Sequence, residues 1–467
     1  EDPGTALDET NDGQMLWVTH YLKLDGKLDL VGESQLIQKR YNIDQLNCSV
    51  FDNTSTGIAE RDQQGTTNPF NYNYWSSPFS ENASSTYSIG GVLRDGTTTV
   101  TDPINRNITW TANYTAAGGD PTELSTNWLY AYYNAIGNTY SEWDALNTAS
   151  TINIGLGYTM KGSGGGDFDV NSNSYTPSIQ QNYVFVGKPN NGTIYNTIGA
   201  PVGSTPSEVL LGNPYPSAID ANEFIRDNIP GGNTSTSSSI TGPLYFWEHY
   251  AANDTHILRD YLGGYAIWSL TGGIAAVTPP ITLDGIILNT SLNGTTEPEQ
   301  YVPVGQGFFI IGSPTGGSIK FENDQRFFRK ENNGQSVFFR SSNNSENSNA
   351  NTNEIKRVRL EFKSPEGAIR PLLLGFTPDN AASDAFNYGY DAINNDYFPS
   401  DMSWLIGEDK YVIQGVGQFD ESKVYPLHIN LAISGDIEIS LTNLENFDSD
   451  ISVYVFDALL NTYTQIN

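Results

Sequence analysis

Apolar and polar residues alternate over many short segments of the chain. Three clear rows of this kind run through residues 152–160, 358–362 and 437–441. A period of two places the apolar side chains of each row on one face of a β-strand. Turn residues separate the apolar runs, for example Gly-Lys-Pro at 187–189 and Gly-Asn-Pro at 212–214. Short strands between such turns predict an all-β protein built of antiparallel, β-sandwich-like modules.

Helices are expected to be few and short. Asp220 can cap a helix, and Glu223, three residues later, completes a capping box. Phe224 and Ile225 then supply the apolar face of that helix. A second turn of helix is expected within residues 384–393.

The clearest boundary along the chain is a run of Ser, Asn and Thr. Residues 341–354 contain no apolar side chain larger than alanine, so they cannot bury enough surface to become ordered. We expect a linker there, between a large β-rich domain at 46–340 and a C-terminal β-sandwich module at 355–467. Within that module, 453–456 is interpreted as a strand buried on both faces. Residues 1–45 carry dense short strands and are expected to be the end of an upstream β-structure, such as a β-helix.

The charge of the chain narrows its possible partners. Among 467 residues, 53 Asp and Glu outweigh 23 Lys and Arg, which gives a formal net charge of -30. This balance argues against nucleic acid, because phosphate binding requires clustered Lys and Arg. The single cysteine, Cys48, excludes a disulfide within the chain. No apolar run approaches the roughly 20 residues of a membrane helix.

The best candidate for a metal site follows a Gly-rich segment. Asp167, Asp169, Asn171 and Asn173 alternate along the chain and place oxygens on one side of an extended loop. Calcium prefers oxygen ligands, so this loop is a candidate calcium site. The segment lacks the Gly and the Glu that a helix–loop–helix calcium loop needs at its sixth and twelfth positions. A solvated hairpin tip is the competing interpretation.

A dense group of aromatic residues suggests a second kind of site. Trp128, Tyr130 and Tyr132 lie on alternate positions of one segment. Exposed aromatic faces stack on sugar rings, so these residues are candidates for glycan binding. Aromatic side chains in β-sandwiches also form cores and cross-strand pairs, which is the competing interpretation.

Motifs for catalysis are missing from the sequence. It contains no Gly-x-Ser-x-Gly, no His-Glu-x-x-His and no phosphate-binding loop. Glu248 and His249, with His256, are residue types that act as acid and base or bind zinc. Their spacing matches no compact motif, so we favour ordinary polar residues at a strand end. A pair of carboxylates that cleaves glycosides is recognised by its separation in space, which a sequence does not give.

Four segments carry a resemblance to a known family. These are Tyr-Trp-Ser-Ser-Pro at 74–78, Leu-Leu-Gly-Asn-Pro-Tyr-Pro-Ser at 210–217, Val-Gly-Gln-Gly-Phe-Phe-Ile at 304–310, and the strands of 425–457. They resemble large cell-surface proteins of Bacteroidota that the type IX secretion system exports. The shared motifs consist of turns and strand cores, and none of them is catalytic.

The resemblance implies a role outside the cell. Its members include adhesins and gliding-motility surface proteins, so it implies a non-catalytic adhesin or structural protein on the surface of a Gram-negative bacterium. It also implies contacts with the export channel of the outer membrane and with its shuttle proteins. The family's sorting domain does not appear before Asn467, so we expect this chain to be part of a longer protein or a mature product that lacks its sorting domain. The alternative is a secreted module that binds or degrades glycans.

Overall fold

The protein is nearly all β in this computed structural model, with 45% strand and 6% helix. The predicted all-β class is therefore confirmed. The structure describes residues 13–466 except 43, 46–47, 97–104, 120, 134, 137–139, 165–167, 170–173, 176–179, 234–237, 250–254, 279–281, 284–285, 288–293, 295, 332–333, 335, 340–354 and 450.

The strands are short, and most of them end at a turn. In the first half of the chain they are Met15–Val18, Tyr21–Leu22, Lys27–Leu30, Gln35–Gln38, Val50–Phe51, Ile58–Thr66, Tyr72–Trp75, Phe79–Ser80, Thr86–Tyr87, Leu93–Asp95, Thr109–Thr111, Glu123–Ser125, Tyr130–Ala131, Ala135–Ile136, Asp144–Ala145, Ile152–Asn153, Tyr158–Lys161, Phe168–Asp169, Ser174–Tyr175, Gln180–Pro189, Ile194–Ile198, Ser207–Gly212 and Ala218–Asp220. In the second half they are Leu244–His249, Gly263–Ser269, Gly272–Ile274, Thr282–Leu283, Ile286–Ile287, Tyr301–Val302, Gly307–Ile311, Gly317–Phe321, Arg326–Phe327, Lys356–Lys363, Ile369–Phe376, Ala392–Ile393, Asp401–Ile406, Asp409–Val416, Leu427–Asn430, Glu438–Glu445, Val453–Asp457 and Thr462–Ile466.

Helices are as rare as the sequence suggests. The described residues contain two α-helices, α1 (Ile89–Val92) and α2 (Ala221–Asn228). Single 3₁₀ turns lie at Thr126–Trp128, Tyr140–Glu142, Leu258–Asp260 and Asn323–Gln325. Both α-helices fall far short of the length that crossing a bilayer requires.

The chain divides into two compact units, each assembled from separate segments. The first contains residues 1–241, 246–262 and 299–348. The second contains residues 242–245, 263–298 and 349–467. The predicted linker at 341–354 lies outside the described residues, so the four-part division of the chain stays a prediction.

The first unit begins with strands that pair in parallel and in order. We name the first six strands of the chain β1 to β6. Strand β1 pairs with β4, β2 with β5, and β3 with β6, all in parallel. This is the hydrogen-bonding pattern of two successive coils of a parallel β-helix. That residues 1–45 end an upstream β-structure stays a prediction. The pairing sets Trp17 of β1 directly beside Ile37 of β4.

Aromatic side chains fill the core of the first unit. The ring of Trp75 is buried edge-on against Tyr183, with centroids 5.5 Å apart, and lies 4.7 Å from Phe338. Such pairs contribute about 0.5–1.5 kcal/mol each beyond the area they bury. The strand Tyr72–Trp75 pairs in antiparallel with Tyr158–Lys161 at the edge of this core.

The predicted helix forms where the sequence placed it. The Asp220 carboxylate accepts hydrogen bonds from the backbone N–H groups of Asn222 and Glu223, at 2.9 and 3.4 Å, and so caps α2. The Glu223 side chain instead pairs with Arg226, 3.0 Å away. Phe224 and Ile225 are fully buried, as an amphipathic helix requires.

One mixed sheet dominates the second unit. In spatial order its strands are Leu427–Asn430, Asp401–Ile406, Asp409–Val416, Ile369–Phe376, Lys356–Lys363 and Glu438–Glu445, with Ala392–Ile393 beside Asp409–Val416. Two arginines fix the hairpin of Gly263–Ile274 to this sheet. Arg357 Nε donates to the carbonyl of Thr271 at 2.6 Å, and Arg359 Nη1 to that of Gly273 at 2.8 Å.

Two local predictions in the second unit are wrong. Residues 384–393 form turns and a two-residue strand, because the Asn387 side chain bonds the backbone of Ser383 and Ala385 and competes with helical hydrogen bonds. The strand Val453–Asp457 exists but is not buried on both faces, since Tyr454 and Phe456 are exposed. It pairs in antiparallel with Thr462–Ile466.

Candidate functional site

An open groove of about 950 Å³ lies in the first unit. Met15 and Trp17 of β1 line it, together with Tyr41, which follows β4. Further lining comes from residues of α2 and from 322–329. The groove therefore lies between the two coils, helix α2 and a later strand of the unit.

Two exposed aromatic rings form the mouth of this groove. Trp17 and Tyr41 stack with ring centroids 6.3 Å apart and an angle of 24° between their planes. Trp17 is 43% exposed and Tyr41 68% exposed. Trp17 Nε1 donates to the carbonyl of Lys39 at 3.1 Å, which fixes the orientation of the indole. A flat, oriented and solvent-facing ring pair suits the apolar face of a sugar ring.

Carboxylates of α2 supply hydrogen-bond acceptors to the groove. Asp220, Glu223 and Asp227 line it and lie three and four residues apart, so they share one helix face. Burial raises the pKa of both Asp220 and Asp227. Gln300 donates to both oxygens of Asp220 at 3.0 Å, and Gln325 donates to Asp227 at 2.8 Å.

Cationic side chains supply the donors. Arg40 is paired with the carboxylate of Asp324 across the groove lining. Lys39 Nζ lies 4.2 Å from the ring centre of Phe327 and donates to the carbonyl of Arg326 at 3.4 Å. Burial lowers the pKa of Lys39. The groove thus offers donors and acceptors of both charges around an aromatic mouth.

The three aromatic residues singled out in the sequence lie elsewhere. Trp128 and Tyr132 are buried and Tyr130 is half-buried. Tyr132 packs against Trp143, and Trp128 packs against Tyr72. None of the three lines the groove. Glycan contact at these three residues stays a prediction.

Most of the candidate calcium loop lies outside the described residues. This holds for Asp167, Asn171 and Asn173, whereas Asp169 ends the strand Phe168–Asp169. Among the residues that the structure describes, no three His, Cys, Asp or Glu side chains are grouped to hold a metal ion. A calcium site at 167–173 therefore stays a prediction.

Sequence reasoning missed the residues that form the groove. Trp17 and Tyr41 are 24 positions apart, and neither belongs to a motif. They meet because β1 and β4 are parallel neighbours in successive coils. The sequence carried no regular repeat that could have shown this, because Met15 pairs with Gln35, 20 positions on, whereas Tyr21 pairs with Val50 and Lys27 with Ile58, 29 and 31 positions on.

One family model matches almost the entire chain. It covers residues 4–467 and is described as a domain of unknown function (DUF8693). The chain belongs to this DUF8693 family. No curated protein and no solved structure matches the chain. The DUF8693 match spans both compact units and assigns them no activity, so the function has to be argued from the residues themselves.

Proposed function

We propose that this DUF8693 protein is a non-catalytic adhesin that binds carbohydrate in the groove of its first unit. The exposed Trp17–Tyr41 stack at the groove mouth carries the proposal. Large apolar rings left in water beside a concave site are typical of a binding surface.

The chemistry of the groove fits a polyhydroxylated ligand. A sugar ring has one apolar face, which a stacked indole or phenol covers, and hydroxyl groups that both donate and accept hydrogen bonds. Carboxylates such as Asp227 accept from hydroxyls, and cations such as Lys39 donate to them. Five acidic and four basic side chains line the groove, so their charges nearly balance, which favours a neutral glycan over a strongly charged one.

A surface location follows from the family resemblance of the sequence. Segments 210–217 and 425–457 resemble exported surface proteins of Bacteroidota, and the chain is strongly acidic. We therefore propose export by the type IX secretion system to the extracellular surface of a Gram-negative bacterium. The outer-membrane channel and its shuttle proteins are the proposed export partners. Co-purification of the protein with that complex would support this part, and retention in the periplasm would contradict it.

Changing Trp17 to alanine should weaken glycan binding about tenfold. Loss of one stacked ring removes about 1.5 kcal/mol, and 1.4 kcal/mol corresponds to a factor of ten. A glycan array on the wild-type protein first identifies the ligand, and calorimetry then compares the variants. Tyr195→Ala is the matched control, because this ring is 64% exposed but lies outside the groove.

Two outcomes would contradict the proposed function. Equal binding by Trp17→Ala and the wild type would exclude the groove as the binding site. Breakdown of a polysaccharide that stops on Asp227→Asn would instead show a glycan-degrading enzyme. The raised pKa of the Asp227 carboxyl supports that alternative, because glycoside cleavage requires a protonated carboxylic acid.

A further inference from the structure

Lys161 occupies an unusual position in the first unit. It ends the strand Tyr158–Lys161, and its side chain is enclosed by three aromatic rings. Its Nζ lies 3.9 Å from the ring centre of Trp128 and 4.7 Å from those of Tyr72 and Tyr261. Lysine is 2% exposed here, although this residue type is almost never fully buried unless it is paired with a charge.

The polar contacts of this amine are neutral groups. Nζ lies 2.5 Å from the hydroxyl oxygen of Tyr261 and 3.0 Å from Nδ1 of His256. Burial lowers the pKa of Lys161 to about 7. The amine therefore carries a free lone pair in a large fraction of molecules at neutral pH. Desolvation by apolar walls is one of the ways in which proteins make a lysine nucleophilic.

A buried histidine contacts the same Tyr261 ring as this amine. His249 is 1% exposed, and its ring centre is 5.0 Å from that of Tyr261. Its Nδ1 accepts from the backbone N–H of Tyr72 at 3.3 Å, so the ring proton resides on Nε2. Among the residues that the structure describes, that buried Nε2 atom has no hydrogen-bond partner. Burial lowers the pKa of His249 to about 3, which keeps the ring neutral.

We propose that Lys161 is a covalent site for small aldehydes, which its amine captures as an imine. The Nζ lone pair attacks the carbonyl carbon, and the carbonyl oxygen takes up a proton from the amine. The resulting carbinolamine loses water, and a carbon–nitrogen double bond remains. Overall, one amine and one aldehyde give one imine and one water, without an oxidant or a reductant. The Nε2–H of His249 supplies the donor that the polarised carbonyl oxygen needs.

The packing around Lys161 limits the size of the aldehyde. His256 stacks on Trp128 with ring centres 4.8 Å apart and bonds to Thr115 Oγ1 at 2.9 Å, which covers the amine. His256 is itself only half-buried, so solvent reaches the outer side of this cover. Because Lys161 is 2% exposed, we expect only small aldehydes to reach its amine. This site shares no residue with the groove, and it does not depend on carbohydrate binding.

Reductive trapping tests the proposal on the unmodified protein. The full chain is incubated at pH 7 with glycolaldehyde and sodium cyanoborohydride, which reduces an imine to a stable secondary amine. Peptide mass spectrometry then follows each lysine over time. The internal control is Lys23, which is exposed and lies 3.2 Å from Asp25. A lysine of ordinary pKa is unprotonated about a thousandfold less often at pH 7 than Lys161.

We expect Lys161 to be alkylated at least tenfold faster than Lys23, after allowing for its restricted access. The His249→Phe variant keeps a ring at this position but removes the Nε2–H donor. It should slow the reaction at Lys161 and leave that at Lys23 unchanged. Alkylation of Lys161 no faster than that of Lys23 in the wild type would overturn the proposal. An unchanged rate at Lys161 in a folded His249→Phe protein would overturn the role of His249.

Discussion

Replacing Arg326 by methionine should lower the free energy of unfolding of the first unit by about 1–3 kcal/mol. Arg326 is fully buried, and burial lowers its pKa to about 9, so it still carries its charge at neutral pH. Its guanidinium donates to the carbonyl of Leu36, to Ser217 Oγ at 3.2 Å, and to the Oδ1 atoms of Asn191 and Asn323 at 3.3 Å.

This loss of stability follows from the hydrogen bonds that methionine cannot make. Methionine fills much of the same volume but offers no donor, so the carbonyl of Leu36 and the hydroxyl of Ser217 lose the buried donor that Arg326 supplies. The cation over the ring of Tyr215, 4.7 Å away, is also lost. This one side chain joins three distant segments, at residues 36, 191 and 217, to its own segment, and α2 lies in sequence between residue 217 and Arg326.

Urea unfolding followed by tryptophan fluorescence measures the change. Arg226→Met is the matched control, because Arg226 is partly exposed and makes one ion pair with Glu223, at 3.0 Å. Exposed pairs of this kind contribute at most about 1 kcal/mol. Similar losses in both variants would show that the buried network of Arg326 adds nothing beyond the loss of a long side chain.

Replacing Lys161 by methionine should remove a pH dependence from the stability of the protein. Unfolded lysine holds its proton up to its ordinary pKa of 10.5, whereas buried Lys161 releases it near a pKa of about 7. Between these values the unfolded state binds more protons than the folded state. The free energy of unfolding therefore rises with pH across this window. The contribution of Lys161 to that free energy is least favourable below pH 7.

The expected difference in stability is given for pH 7 to pH 9, a range in which other side chains change their protonation little. One pH unit inside the window corresponds to about 1.4 kcal/mol, so the wild type should gain about 2 kcal/mol more than Lys161→Met between pH 7 and pH 9. Denaturant titrations at several pH values give this difference directly. Lys23→Met, at an exposed position, should parallel the wild type. A parallel course for Lys161→Met would show that the buried amine keeps its ordinary pKa.

Local features of the fold could be predicted because they depend on neighbouring residues. Asp220 caps α2 through N–H groups two and three residues away, and such a contact is visible in a sequence. The alternation in 358–362 predicts a strand with one buried face, and Val358, Leu360 and Phe362 are indeed buried. Residues 384–393 show the limit of this reasoning, because one side chain, Asn387, replaced helical hydrogen bonds with its own.

Both sites depend on contacts between distant segments. The candidate groove needs Trp17 beside Tyr41, which follows from the parallel register of two coils. The buried amine of Lys161 lies beside His256, which is 95 positions away in sequence. The sequence pointed to His249 and His256 as candidate acid–base or zinc-binding residues but gave no indication of Lys161. No residue type or spacing in the sequence predicts such a contact, because the pairing of strands determines which distant residues meet.

The sequence by itself determined an acidic, almost all-β chain with short strands, few helices and one capped helix. These properties follow from side-chain period, turn residues and charge, which act over a few positions. Tertiary structure alone decided which aromatic rings face water and which surround an amine. Trp17 and Trp128 are chemically identical, yet strand pairing exposes one at a groove and buries the other against Lys161. Burial is a property of the whole packed chain, and it sets both the pKa and the accessibility of the groups that can act.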